Sequence, residues 1–306
     1  MKEIRWWMQK ITIFFLKKAI KIIPLIAFFL HINAYGSLAY LAFEEGYWQV
    51  FAFTNNKTHA KQITFSEYDK SVFSWYPDGQ NLLINASSGR LFKVNIKTGQ
   101  EHVIDFPYRG FFDAVLSPDG HWITFSFSGT GEPDDSAIWI TAISDSGASD
   151  SRQFNMRKLT NMPGLQHSPR WHPDGKTIYF ASNSRTEVNG LWSVDTMTGL
   201  TMQLAANTYR NFDMVYAESI NGFAFTDNRA GNLDIWIKTV GQPAINLSSH
   251  AASDYQVTFS GRGDAYFVSS RDNGNLNIWH YLRDKELIKQ LTHHKNGARY
   301  PVWRQP

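Results

Sequence analysis

The chain has 306 residues, 43% of them hydrophobic and 15% aromatic, with a formal charge of +3 and no cysteine. Without cysteine it has no disulfide framework, thiol nucleophile or Cys-ligated zinc. Its length suits one large all-β domain or two smaller domains.

Residues 1–36 differ from the rest. Six basic residues (Lys2, Arg5, Lys10, Lys17, Lys18, Lys21) precede the apolar run 22–30, and Ala34-Tyr35-Gly36 offers small residues at the −3 and −1 positions of a cleavage site. This is the layout of a secretory signal peptide. The apolar run is well short of the ~20 residues that span a bilayer as a helix. An uncleaved membrane anchor is the alternative reading. Loss of 1–36 takes the net charge from +3 to −2. What remains lacks the basic footprint that nucleic-acid binding needs.

From Ser37 onward the chain reads as short strands of alternating side chains separated by turns, with no amphipathic helix between them. Leu38 to Phe43, Tyr47 to Phe51 and Lys61 to Thr64 form the first three. Then comes Trp75-Tyr76-Pro77-Asp78-Gly79, a strand end followed by a tight turn. Proline presets φ, aspartate bonds its own backbone and glycine supplies the positive φ. The same unit returns at Leu116-Ser117-Pro118-Asp119-Gly120 and Trp171-His172-Pro173-Asp174-Gly175, with weaker echoes after Tyr216, Phe259 and Trp303. These landmarks are 41, 55, 45, 43 and 44 residues apart. A period near 40–45 residues with four strands per unit predicts propeller blades. Trp303 nearly ends the sequence, and residues 37–74 supply only three strands. The predicted architecture is therefore an all-β, six-bladed propeller over 37–306, its ring closed by the C-terminal strand joining the N-terminal blade. Closure removes exposed sheet edges.

The residues Pro169-Arg170-Trp171-His172-Pro173-Asp174-Gly175-Lys176-Thr177-Ile178-Tyr179-Phe180, with Ser270-Arg271-Asp272-Asn273-Gly274-Asn275-Leu276-Asn277-Ile278-Trp279, resemble the WD40-like repeat of the TolB family. The resemblance covers roughly 37–306. It implies a periplasmic, non-enzymatic platform for a protein or peptide of the bacterial cell envelope, such as a peptidoglycan-associated lipoprotein, and no cofactor. TolB carries a separate α/β domain ahead of its propeller; the expectation here is a monomeric propeller without it. Kept on its N-terminal segment, the same propeller resembles membrane-anchored periplasmic sensors.

Enzyme motifs are scarce. No Gly-x-Ser-x-Gly elbow or Walker loop occurs. His293-His294 reads as a solvated pair in the loop before the last strand. Glu132, Asp134 and Asp135 are oxygen donors in an acidic loop, without the spacing of a calcium loop. The better candidates are positional, because the first strand of each blade lines the channel. Four residues before each landmark stand Ser71, Phe112, His167, Phe212, Tyr255 and Arg299; three before stand Val72, Asp113, Ser168, Asp213, Gln256 and Tyr300. The predicted partner-binding mouth is Phe112, Asp113, His167, Phe212, Asp213, Tyr255, Arg299 and Tyr300, since rigid aromatics and arginine anchor interfaces. Packing between blades is the competing role for the aromatics. A carbohydrate lyase or hydrolase acting through Asp113, His167 and Asp213 is the alternative chemistry.

Overall fold

The computed structural model describes residues 38–53, 59–128, 135–143, 155–184, 189–205 and 212–304; the predicted export segment lies outside them. Among the described residues the first blade holds β1 (Leu38–Glu44), β2 (Tyr47–Ala52) and β3 (Lys61–Gln62). Blade two is β4 (Lys70–Trp75), β5 (Asn81–Ala86), β6 (Leu91–Asn95) and β7 (Glu101–Ile104). Blade three is β8 (Phe111–Leu116), β9 (Trp122–Phe127), β10 (Ala137–Ala142) and β11 (Arg157–Lys158). Blade four is β12 (Gln166–Trp171), β13 (Thr177–Ser182), β14 (Gly190–Asp195) and β15 (Thr201–Ala205). Blade five is β16 (Phe212–Ala217), β17 (Gly222–Asp227), β18 (Asp234–Thr239) and β19 (Ile245–Asn246). Blade six is β20 (Asp254–Phe259), β21 (Ala265–Asp272), β22 (Asn275–Leu282) and β23 (Leu287–Gln290). The last strand, β24 (Ala298–Trp303), joins β1 to make a fourth strand for blade one. Its register runs antiparallel from Leu38↔Trp303 to Ala42↔Ala298, which is the predicted closure.

The hairpins owe their geometry to the repeated turn residues. Asp78 Oδ1 accepts from the backbone N–H of Gln80 at 2.8 Å and of Asn81 at 3.0 Å, and Asp174 Oδ1 does the same for Lys176 and Thr177 at 2.8 and 3.1 Å. Gly79 and Gly175 hold φ of 61° and 66°, a region that a Cβ disfavours. Blade five has no such turn. A single 3-10 turn, Glu218–Ile220, substitutes for it, and Asn221 takes the left-handed conformation at φ 45°.

The core is divided into six wedges, one between each pair of neighbouring blades. Phe73, Leu82, Ile84 and Phe92 of blade two pack on Leu41 and Val50 of blade one; Tyr40 and Phe51 face Tyr266 and Val268 of blade six. The seam where the chain closes is also clasped by polar groups. His294 Nε2 lies 3.0 Å from Tyr40 Oη and its Nδ1 lies 3.1 Å from Glu44 Oε1, with the ring edge-on to Phe51. The sequence reading of His294 as a solvated loop residue is thus corrected: its neighbour His293 is exposed, while His294 ties blade six to blade one. No helix among the described residues is long and apolar enough to cross a membrane.

Candidate functional site

The inner strands β4, β8, β12, β16, β20 and β24 surround the axis and touch one another in turn. Each breaks register with its neighbour partway along, between Phe112 and Val115 in β8, His167 and Arg170 in β12, and Tyr255 and Thr258 in β20. At that bulge five non-glycine residues sit in the left-handed region: Asp113 (φ 56°), Ser168 (54°), Asp213 (48°), Gln256 (54°) and Tyr300 (57°). They are equivalent positions in consecutive blades. In blade two the equivalent residue is Val72, whose branched Cβ resists this backbone, and it is absent from the set. Such a bulge re-aims side chains at the edge of a site.

Inter-blade hydrogen bonds run round this ring. Asp113 Oδ2 accepts from the Ser168 N–H at 3.1 Å, and Gln256 Oε1 accepts from the Tyr300 N–H at 2.9 Å. Two residues further along each strand, Ser74 Oγ accepts from Leu116 N–H at 2.9 Å and Thr258 Oγ1 from Trp303 N–H at 3.1 Å. The blade-four residue at that level is Arg170. Its Nη2 donates to Tyr300 Oη at 2.7 Å and its Nη1 to its neighbour Pro169 O at 2.9 Å, so the guanidinium reaches across the channel from blade four to the closing strand.

Arg170, Tyr300 and Asp213 adjoin channel space but lie deep within the ring, and their ionisation reflects it. Burial opposes the Arg170 charge, yet Tyr300, Asp113 and Asp213 together outweigh it and raise its pKa. Burial pushes the Asp213 carboxyl above the usual carboxylate range; Arg170 and His167 pull it back, and Asp113 pushes it further. Two carboxylates thus act on one guanidinium through space, neither within ion-pair distance of it.

A cavity of about 430 Å3 occupies the channel. Arg170, Asp213, Gln256 and Tyr300 lie at one end of it. Val115, Val215, Thr258 and Val302 line its wall, with Trp75, Trp171, Tyr216 and Trp303, and it extends to the hairpin prolines Pro77, Pro118 and Pro173. It therefore reaches the face that carries the hairpin turns.

Of the residues expected at the mouth, Asp213 and Tyr300 line this cavity. Phe112, Asp113, His167, Tyr255 and Arg299 are not part of its lining. Asp113 is held by Ser168, whose Oγ is also 3.0 Å from His167 Nδ1. Phe112 is 40% exposed. Arg299 stacks 3.8 Å over the Trp48 ring, and Tyr255 packs against the core between blades six and one. The side chain of Phe212 lies outside the described residues, as do Glu132 and Asp134; Asp135 is exposed. Among the described residues no group of three or more His, Asp or Glu is arranged to hold a metal ion. Sequence reasoning missed Arg170. Its signal was available: at its level the other blades carry Ser74, Val115, Val215, Thr258 and Val302, all small beside an arginine.

No family model matches the sequence. An uncharacterized protein of Agrobacterium fabrum is 26% identical over 229 residues, spanning 73% of this chain and 72% of that protein. TolB from Acinetobacter baumannii superimposes with a TM-score of 0.71 at 19% identity, covering 88% of this chain and 66% of that one. A TolB-type structure from Agrobacterium tumefaciens gives 0.66 at 18% identity, covering 90% of this chain and all of that one. Oligogalacturonate lyase in complex with manganese gives 0.58 at 12% identity, with 85% and 75% coverage. At these identities the likeness is one of fold, and the fold serves binding proteins and enzymes alike. By fold, this chain is a six-bladed propeller of the TolB kind.

Proposed function

We propose that the protein is an exported, non-enzymatic binding module of the cell envelope that takes a segment of a protein or peptide into its channel. The observation that carries this reading is the cavity of about 430 Å3. Its size falls within the ~300–1,000 Å3 of ligand pockets, and like them it combines an apolar, aromatic wall with a few convergent polar groups. Phe112, exposed on the inner strand β8, offers a second contact surface. The test is capture from envelope extract by the wild type, by Phe112→Ala and by the cavity-narrowing Val215→Phe. Loss of a partner with Val215→Phe, at unchanged thermal stability, supports channel binding. Equal recovery of every partner by all three proteins refutes it.

A second reading, a channel enzyme acting on carbohydrate, is favoured by one contact set: Ser168 Oγ lies 3.0 Å from His167 Nδ1 and 3.4 Å from Asp113 Oδ2. The carboxylate meets the serine and not the imidazole, so the orienting role of a triad is missing. Turnover of oligosaccharides abolished by His167→Ala would favour it over binding. Sequencing the N-terminus of the exported protein separates a soluble periplasmic form from an anchored one; a start at Ser37 removes the anchor.

A further inference from the structure

The end of the cavity formed by Arg170, Asp213, Gln256 and Tyr300 carries an unbalanced charge. Arg170 is the one cation there, and both Asp113 and Asp213 act on it. Asp113 is satisfied by the Ser168 N–H and hydroxyl. Tyr300 Oη accepts from Arg170 Nη2, and no hydrogen bond joins Tyr300 to Asp213. Among the described residues no hydrogen bond reaches the Asp213 carboxylate, although it borders the cavity. Asp213 is half-buried, and a carboxylate at a cavity edge with no donor among the described residues is free to accept from a ligand.

We propose that the cavity takes a lysine side chain of a peptide partner, with Asp213 accepting from the ammonium group at its inner end; this rests on the channel-binding reading above. The wall has the matching character. From Asp213 to Tyr216 the inner strand advances ~10 Å at ~3.3 Å per residue, past Val215 and toward Trp171 and Trp303. A lysine buries its long apolar stem against such surface and presents its charge at the tip. Aromatic faces along the way attract a cation as it enters. At the outer end of the lining the exposed Glu218 adds the same sign and Arg304 the opposite one, so the preference for a cation is set at the inner end. An anion would find Arg170 already donating to Tyr300 and to Pro169 O, with two carboxylates nearby to repel it.

Burial holds the Asp213 carboxyl above its ordinary pKa. The groups that face it are Arg170 and His167 on β12, Asp113 on β8, Tyr300 on β24 and Tyr255 on β20. A cation at Asp213 lowers that pKa, so binding releases protons where the free carboxyl is partly protonated, and affinity rises with pH through that range.

The test uses the full propeller and three blocked tripeptides, acetyl-Gly-X-Gly-amide with lysine, Nε-acetyl-lysine or glutamate at X, followed by titration calorimetry and tryptophan fluorescence. The expected result is saturable binding of the lysine peptide alone, with proton release revealed by comparing two buffers. Asp213→Asn keeps the side-chain shape, and asparagine tolerates the left-handed backbone; it should weaken the lysine peptide by on the order of 10-fold or more, as for loss of a charged hydrogen bond. Tighter binding of the glutamate peptide, no binding of the lysine peptide, or equal affinity in Asp213→Asn overturns the inference. Partner capture distinguishes the two readings. If Val215→Phe abolishes capture and Asp213→Asn does not, the cavity is the binding site and lysine is not its occupant. If neither variant changes capture, both readings fall.

Discussion

Replacing Arg170 by methionine tests whether the charged cluster is a coupled unit. The side chain keeps much of its volume, so the perturbation is chiefly electrostatic. It removes the 2.7 Å bond to Tyr300 Oη and the 2.9 Å bond to Pro169 O, and it takes away the positive charge that acts on Asp113 and Asp213. Loss of one partner from a buried charge pair typically costs ~3–5 kcal/mol, against ~1–3 kcal/mol for a lone unsatisfied neutral group. The lower figure is expected here, because neither carboxylate lies within ion-pair distance of Arg170 and its direct hydrogen bonds go to neutral groups. Asp213 supplies the signature. Its folded pKa is already raised and would rise further in the variant. A carboxyl whose folded pKa exceeds its unfolded value opposes folding above the folded pKa, and this opposition fades as pH falls toward the unfolded value near ~3.9. Urea unfolding monitored by tryptophan fluorescence at pH 7.5 and pH 5 should show a smaller deficit for Arg170→Met at the lower pH. The double variant Arg170→Met/Asp213→Asn should recover at least ~1 kcal/mol at pH 7.5, the scale of coupling expected between contacting residues. A deficit under ~1 kcal/mol, the same at both pH values and unrelieved by Asp213→Asn, would refute the coupling.

Gly222→Ala places a Cβ 2.2 Å from Lys238 O and 2.8 Å from Thr239 Cα, so β17 and β18 must spread; a loss of ~1–3 kcal/mol is expected in the same assay. Asp113→Val puts a branched side chain at φ 56° and should cost ~1–3 kcal/mol, while Asp113→Asn should unfold close to the wild type. Lys70 is 1% exposed and donates to Gln49 Oε1, Ser66 O and Tyr68 O, each at 2.8 Å. Burial lowers its pKa to about 8 against the pull of Glu101 and Asp69. Below that value its charge opposes folding in full, and stability should climb as pH rises from there toward its unfolded pKa near ~10.4, by at most ~1.4 kcal/mol per pH unit. Urea midpoints between pH 7.5 and 10 should show that slope in the wild type and lack it in Lys70→Met.

The fold was legible because blade packing repeats and the channel does not. Trp75, Leu116, Trp171, Phe259 and Trp303 each end an inner strand, Tyr216 stands one residue before the end of its own, and Asp78, Asp119 and Asp174 each cap a turn that follows. Those residues satisfy local rules, and local rules survive in a single sequence. The candidate site obeys a different constraint. Asp113 and Asp213 stand in like Phe-Asp pairs, and the feature they share is a left-handed bulge, a property of backbone register that residue type only permits. Aspartate, serine, glutamine and tyrosine all occupy that bulge, so no pattern of types announces it. Counting back along the strand located the right ring of residues but not which way their side chains turn. Phe112 is exposed, His167 meets Ser168, Tyr255 packs between blades six and one, and Arg299 stacks on Trp48, while Asp213 and Tyr300 stand beside the cavity. Arg170 stood one residue before a landmark, inside a motif dominated by its tryptophan and its turn. Its importance emerges only when six blades are superposed and five small side chains are found where it alone extends across the channel.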